Sequence, residues 1–299
     1  MKRAALILIT LLTAASAMAD DDGVPRRHNH GAFATGLSVF ADAGAVWADD
    51  NTANFYSGRP ENTNTIYRVL HSNSYGTEIW QSLKEAGLIS SAVDSYRALQ
   101  VVEYPEMYYQ LSYIIGMGIR YDYASGFGWL LRFDLASLHA TGAFNLSSTN
   151  GTGILSGDGQ YIRCGMLGVE NRINLDLALT RTVMLGGNTS LELDLGAQLN
   201  NTKVKENQME INGRNYSILD VWNGQTPDAG IGDYDYINQG GMGWGVFMSA
   251  FLGYHMEGLG AIKIGYSCYH SKATLKGYTA MGWTHSLSLR FEINNFNFL

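Results

Sequence analysis

The chain has 299 residues and a formal charge of -7, with 16% charged residues, 35 glycines, 18 tyrosines and only 4 prolines. An acidic balance without basic clusters argues against nucleic acid as a partner. The length fits one large barrel or two small domains, and after residue 19 no continuously apolar run is long enough for a spanning helix, which needs about 20 residues.

Residues 1–19 have the layout of a secretory signal peptide. Lys2 and Arg3 precede an apolar run from Ala4 to Leu12, and small residues end at Ala17-Met18-Ala19. Cleavage after Ala19 removes two positives and takes the formal charge from -7 to -9. Residues 20–32 read as a tail. Its Arg26, Arg27, His28 and His30 are weak metal evidence, because two histidines lack a third ligand.

From residue 33 onward the signal is period two, the mark of strands with one apolar and one polar face. The first candidate, Thr35–Ala48, alternates Leu37, Val39 and Ala41 with Ser38 and Asp42. The second, Met107–Tyr123, sets Leu111, Ile115 and Ile119 against Gly116, Arg120 and Asp122. The third, Trp129 to about Leu146, sets Leu131 and Phe133 against Arg132 and Asp134, and loses clean alternation around Ser137–Ala143. The fourth, Tyr161–Leu179, opposes Val169, Ile173, Leu175 and Leu177 to Glu170, Arg172 and Asp176. The fifth, Ser190–Asn200, opposes Leu191, Leu193 and Leu195 to Glu192 and Asp194. The sixth and seventh are Gly243–His255 and Ala261–Ser271, the latter carrying Lys263. The eighth, from His285, alternates Leu287, Leu289, Phe291 and Ile293 with Ser286, Ser288, Arg290 and Glu292, and ends in Phe296 and Phe298.

Connections after the second, fourth and sixth strands are tight. Those after the first, third, fifth and seventh are long and polar: Asp49–Glu106, Ser147–Gln160, Asn201–Met242 and Lys272–Gly282. Short turns at one end and long loops at the other are the layout of an outer-membrane barrel with both termini on the periplasmic side. The expectation is an all-β fold: an antiparallel transmembrane β-barrel of about eight strands, ten being possible. It occupies residues 33–299, with long extracellular loops at 49–106 and 201–242. A soluble lipocalin-like barrel, apolar inside and charged outside, is the competing architecture.

On this layout and its last strand, Leu287–Phe298, the mature chain resembles the eight-stranded barrels similar to the OmpA transmembrane domain and OmpX. Its tyrosine-rich, long-looped style is most like the barrels of Bacteroidota. The resemblance implies a Gram-negative outer membrane, contact with its lipid and lipopolysaccharide, and recognition of Leu287–Phe298 by the barrel-assembly machinery. Leu299 after Phe298 departs slightly from an aromatic-ended strand.

The positions expected to face the lumen include Asp42, Arg120, Asp122, Arg132, Asp134, Glu170, Arg172, Asp176, Glu192, Asp194, Lys263, Arg290 and Glu292. Eight strands leave an interior just wide enough for side chains, and charges there are stable only if paired or hydrated. The expectation is a closed, charge-plugged lumen. The function expected is a structural or partner-binding subunit of the envelope, acting through its loops. A narrow porin-like channel and a lipid- or peptide-modifying enzyme are the alternatives. Some small outer-membrane barrels are enzymes with histidines near the outer rim, as His139, His270 and His285 are here, but no spacing singles out a triad. No cofactor, metal or catalytic residue is expected.

In the first long loop, Glu78–Leu88 carries Ile79, Leu83 and Ala86 or Gly87 at helical spacing, with Trp80 beside them. Ser91 and Asp94 resemble a capping box for a second short helix. The stripe Ile79, Trp80, Leu83 and Leu88 either covers the barrel mouth or faces a partner protein. Asn212-Gly213, between strand-like runs, is a hairpin signal. Cys164 and Cys268 fall on opposite parities, so two free thiols are expected rather than a disulfide.

Overall fold

The computed structural model describes residues 36–62, 64–90, 93–148, 161–219, 239–256 and 260–294. The expected signal peptide, the tail and the aromatic end after residue 294 lie outside them, as do Ser91 and the loop 149–160. Among the described residues eleven strands form one sheet: β1 (Gly36–Ala48), β2 (Leu99–Glu103), β3 (Tyr108–Tyr109), β4 (Ser112–Asp122), β5 (Phe127–Ser148), β6 (Ile162–Gly186), β7 (Thr189–Ile211), β8 (Arg214–Ser217), β9 (Gly240–Met256), β10 (Gly260–Leu275) and β11 (Tyr278–Asn294). Eight of them close a ring in the order β1-β4-β5-β6-β7-β9-β10-β11, which returns to β1 with every pairing antiparallel. Closure satisfies the backbone without an edge, which a strand structure in lipid requires.

The faces decide the class of barrel. Leu131, Phe133, Leu175, Leu177, Leu195, Ile264, Leu289 and Phe291 are exposed, whereas Arg132, Asp134, Asp176, Asp194, Lys263, Arg290 and Glu292 on the alternate positions are buried. Apolar side chains outside and charges inside invert a soluble barrel and make this a transmembrane one. The lipocalin-like alternative is thereby removed.

β7, β10 and β11 overrun the expected boundaries at the loop end, and β6 runs on past Leu179 to the tight turn at Gly186. β5, β6 and β7 have 22, 25 and 23 residues, where about 9–11 suffice to span. The connection expected at Lys272–Gly282 is mostly ladder: β10 and β11 pair to Leu275↔Tyr278 and turn at Lys276-Gly277. Likewise the loop expected from residue 201 begins as strand, because β7 runs to Ile211. Asn212 and Gly213 both have positive φ, 51° and 73°, the I′ hairpin geometry. They join β7 to β8, which pairs with β7 outside the ring, so the ring remains at eight rather than ten.

A register shift between Val169 and Glu170 changes what the strands present inward. Glu170 pairs with Val204, and Val169 with Glu206, leaving Lys205 as the extra residue. One inserted residue reverses strand parity. Beyond it Met209 and Ile211 turn inward beside Phe144, Leu146, Ile162, Cys164 and Met166 to build an apolar core. Over this core lie a 3₁₀ turn (Ala53–Ser57), helices α1 (Ile66–Leu70) and α2 (Tyr75–Glu85), and a second 3₁₀ turn (Tyr96–Ala98). Asn212 Nδ2 donates to Ser82 Oγ of α2 at 2.9 Å, tying the β7–β8 hairpin to the helix. The described residues of the first long connection, with the β7–β8 hairpin, therefore form a folded cap on the loop end of the barrel.

Candidate functional site: a charge-filled lumen under a folded cap

The lumen charges are organised around Glu192. It accepts from Arg120, from Lys263 Nζ at 2.6 Å and from Arg290 Nη1 at 2.9 Å. Lys263 also bonds Glu292 at 2.5 Å, and Arg120 bonds Asp122 at 2.7 Å. Arg290 reaches Asp42 at 3.4 Å and Asp194 at 3.9 Å. Its guanidinium lies between the rings of Phe40 and Phe251, 4.2 and 4.0 Å from their centroids. Asp42 continues the chain to Arg132 at 3.8 Å, which pairs with Asp134 at 3.0 Å and Asp176 at 2.6 Å. These charges come from every strand of the ring except β9. Period two alone places them, because each occupies an inward position of its strand.

Glu170 and Arg172 stand apart, nearer the cap, and pair with each other at 2.6 Å. Tyr56, from the first 3₁₀ turn, donates to Glu170 Oε2 at 2.6 Å. Arg172 donates to Thr52 Oγ1 at 2.9 Å, and Thr52 in turn bonds the Tyr109 hydroxyl at 3.0 Å. Between the two groups is a cavity of about 20 Å³ lined by Val46, Ile114, Leu138, Asn174 and Tyr269 among others, room for about one water. This arrangement fills the bore with paired charges and aromatic rings.

The helical stripe does not face outward. Ile79 and Leu83 are fully buried in the cap core. Trp80 and Leu88 pack partly against it, and Trp80 Nε1 donates to the Val93 carbonyl at 3.0 Å. The physical reason is burial of α2's apolar face on the sheet that the lengthened β5–β7 strands provide. Ile79 and Leu83 therefore belong to the cover over the mouth, while Trp80 and Leu88 are half-buried at its edge.

No carboxylate pairs with His139, His270 or His285 among the described residues. His270 packs on Trp283 with centroids 4.5 Å apart, and His285 Nδ1 lies 2.6 Å from the Tyr266 hydroxyl. His255 Nε2 lies 2.8 Å from Ser190 Oγ, but Ser190 is fully buried. Among the described residues no cluster of His, Cys, Asp and Glu is arranged to hold a metal. Both cysteines are free and buried.

No protein-family model matches the chain, and no curated protein matches it. Solved structures similar to it include Neisserial surface protein A, at 8% identity over 88% of this chain and 100% of that one, with a TM-score of 0.43. OprG from Pseudomonas aeruginosa matches at 9% identity over 89% and 99%, with a TM-score of 0.39. Ail, the attachment invasion locus protein of Yersinia pestis, matches at 10% identity over 86% and 99%, with a TM-score of 0.31, in complex with the heparin analogue sucrose octasulfate. Likenesses this distant say nothing of activity or partner.

Several side chains of the lumen escape a reading based on charge. Phe40 and Phe251 sit on the polar parity of their strands, and an aromatic on that face is the signal that could have marked them. Thr52 and Tyr56 lie in a connection without periodicity, so no sequence pattern points to Glu170 as their partner.

Proposed function

We propose that the chain is an outer-membrane protein of a Gram-negative envelope whose closed barrel anchors a folded extracellular cap, the cap acting as the structural or partner-binding part. The observation that carries this reading is the filled bore: Arg290 is clamped between Phe40 and Phe251 and tied to Glu192 and Asp42. Opening a path would break several buried ion pairs at once, each costing about 3–5 kcal/mol when one partner is lost. The apolar outer face supports contact with outer-membrane lipid, including lipopolysaccharide. Strand layout supports the likeness to OmpA- and OmpX-type barrels in the style of Bacteroidota, with the signal peptide removed after Ala19. The same layout supports tight turns on the periplasmic side and recognition of Leu287–Phe298 by the assembly machinery. No enzymatic step is assigned.

Two measurements test this. In planar bilayers the purified protein gives no discrete conductance; reproducible single-channel steps would overturn the closed-barrel reading in favour of a narrow channel. Under mild detergent it co-purifies with an envelope component through the cap; consistent elution alone would overturn the partner-binding part.

A further inference from the structure

The bore does not balance its own charge. Leaving aside Asp122, which is partly exposed, the main network among the described residues holds six buried carboxylates against four buried cations, Arg120, Arg132, Lys263 and Arg290. The separate pair Glu170–Arg172 is neutral and does not alter the difference. Unpaired charge is costly where water is scarce, so the excess is met by protons or by small cations.

Two of the carboxylates converge where this can happen. Asp42 of β1, Gly116 of β4 and Asp134 of β5 lie in one cross-strand row. The middle residue is glycine, so no side chain separates the two acids. A Cβ added at Gly116 would fall 2.0 Å from Asp134 Oδ1 and 2.3 Å from Asp42 Oδ1. Both oxygens therefore point at one place, and they are no farther apart than those two lengths laid end to end. Their cations lie on the other side. Arg132 Nε meets Asp134 through Oδ2 at 3.0 Å. Arg132 Nη1 and Arg290 Nη2 meet Asp42 through its Oδ2, at 3.8 and 3.4 Å. Each carboxylate turns one oxygen to a guanidinium and the other to its fellow acid.

The surrounding strands supply no further positive charge here. Arg132 also pairs with Asp176 of β6 at 2.6 Å, and Arg290 also pairs with Glu192 at 2.9 Å and lies 3.9 Å from Asp194 of β7. Next to Gly116 on the inner face of β4 is Gly118, β9 brings the ring of Phe251, and β10 brings Tyr269, whose hydroxyl accepts from Arg132. Both oxygens of Asp194 and Oδ1 of Asp176 lack a hydrogen-bond donor, so the bore has no donor in reserve. A hard cation takes about six or more oxygens. Two carboxylate oxygens facing each other are the arrangement that shares a proton, because like charges this close do not both ionise.

We propose that Asp42 and Asp134 share one proton at neutral pH, held between their Oδ1 atoms, so that the plug of the barrel is also a proton-binding site. The proton is taken from solvent as the bore closes. The charge-assisted bond it makes links β1 to β5 across β4. The inference rests on the closed bore and is independent of what the cap binds.

The test is infrared spectroscopy of the whole protein at neutral pH, in a detergent without ester carbonyls, folded from H2O and from D2O. The parent shows a protonated-carboxyl C=O stretch that moves to lower frequency in D2O. That component is lost in Asp42→Asn and in Asp134→Asn and kept in Asp176→Asn. Each of the first two variants keeps the urea midpoint of the parent, because the new amide donates to the remaining carboxylate as the shared proton did. Asp176→Asn lowers the midpoint by taking a partner from Arg132. The inference is overturned if the parent has no such stretch, if the stretch survives Asp42→Asn or Asp134→Asn, or if metal analysis finds a tightly bound cation that both variants release. Failure of either asparagine variant to fold overturns it as well, since an amide in place of a shared carboxyl preserves the bond. A parent that gives neither conductance nor the stretch keeps the closed bore and loses this inference.

Discussion

The Tyr56 hydroxyl donates to Glu170 Oε2 at 2.6 Å, joining a cap residue to a barrel strand across 114 positions of sequence. Tyr56→Phe removes the bond at Oε2, while Arg172 keeps its pairing with Oε1. The expected cost is about 1–3 kcal/mol, concentrated in the cap. Hydrogen exchange over residues 50–62 should speed up while the β10–β11 ladder keeps its protection. Unchanged exchange at the mouth would show that the bond does not hold the cap down.

The same contact has a pH signature. Burial, then the charge of Glu170, pushes the Tyr56 hydroxyl well above its ordinary value of 10, and Tyr109 moves the same way for the same causes. A pKa raised in the folded state contributes stability that is fully present below the unfolded value and lost as pH rises through the folded one. The cap should therefore be insensitive to pH up to about 10 and loosen above it. Absorbance at 295 nm should show two tyrosines withheld from titration until the cap opens. In Glu170→Gln, Tyr56 should ionise at lower pH than in the parent. If all tyrosines titrate together, the buried contact does not exist in solution.

Glu192 takes three cations, Arg120, Lys263 and Arg290. Glu192→Gln strips that charge and leaves them partly uncompensated in a bore without bulk water. About 3–5 kcal/mol of destabilisation is expected, read as a lower urea midpoint in micelles. Leu195→Ala, on the exposed face of the same strand, should cost far less. Equal effects at the two positions would mean that the interior is hydrated enough to screen the network.

The barrel was legible because period two is a local property. Leu287 to Glu292 states in six residues which side meets lipid, and the same reasoning assigned every lumen charge to its face. The cysteine parities were legible for the same reason. What escaped depended on length and on distance. In Asn201–Ile211 only the strand-like run before Asn212-Gly213 points to more strand, and Lys203, Lys205 and Glu206 look like loop, which hides that β7 continues unbroken beyond the apolar belt. The bulge at Lys205 hides the switch that turns Met209 and Ile211 inward. Without that extended sheet in view, Ile79 and Leu83 could equally face a partner. Only tertiary packing shows what covers them.

Two glycines of β6 test how tightly the cap seats. An added Cβ at Gly168 would fall 2.2 Å from Cγ of Tyr56, whereas at Gly165 the nearest atom, Glu210 Cβ, is 3.4 Å away. Gly168→Ala must therefore shift the Tyr56 ring or the strand, at a cost of about 1–3 kcal/mol for overpacking. Gly165→Ala meets ordinary van der Waals contact, and its stability should stay within about 0.5 kcal/mol of the parent. Combining Gly168→Ala with Tyr56→Ala removes the clash along with the ring, so the pair should cost less than the sum of the two single changes. Strict additivity in thermal unfolding would mean that Tyr56 does not rest on Gly168. The bond to Glu170 would then have to hold the first turn of the cap without the support of the strand beneath it.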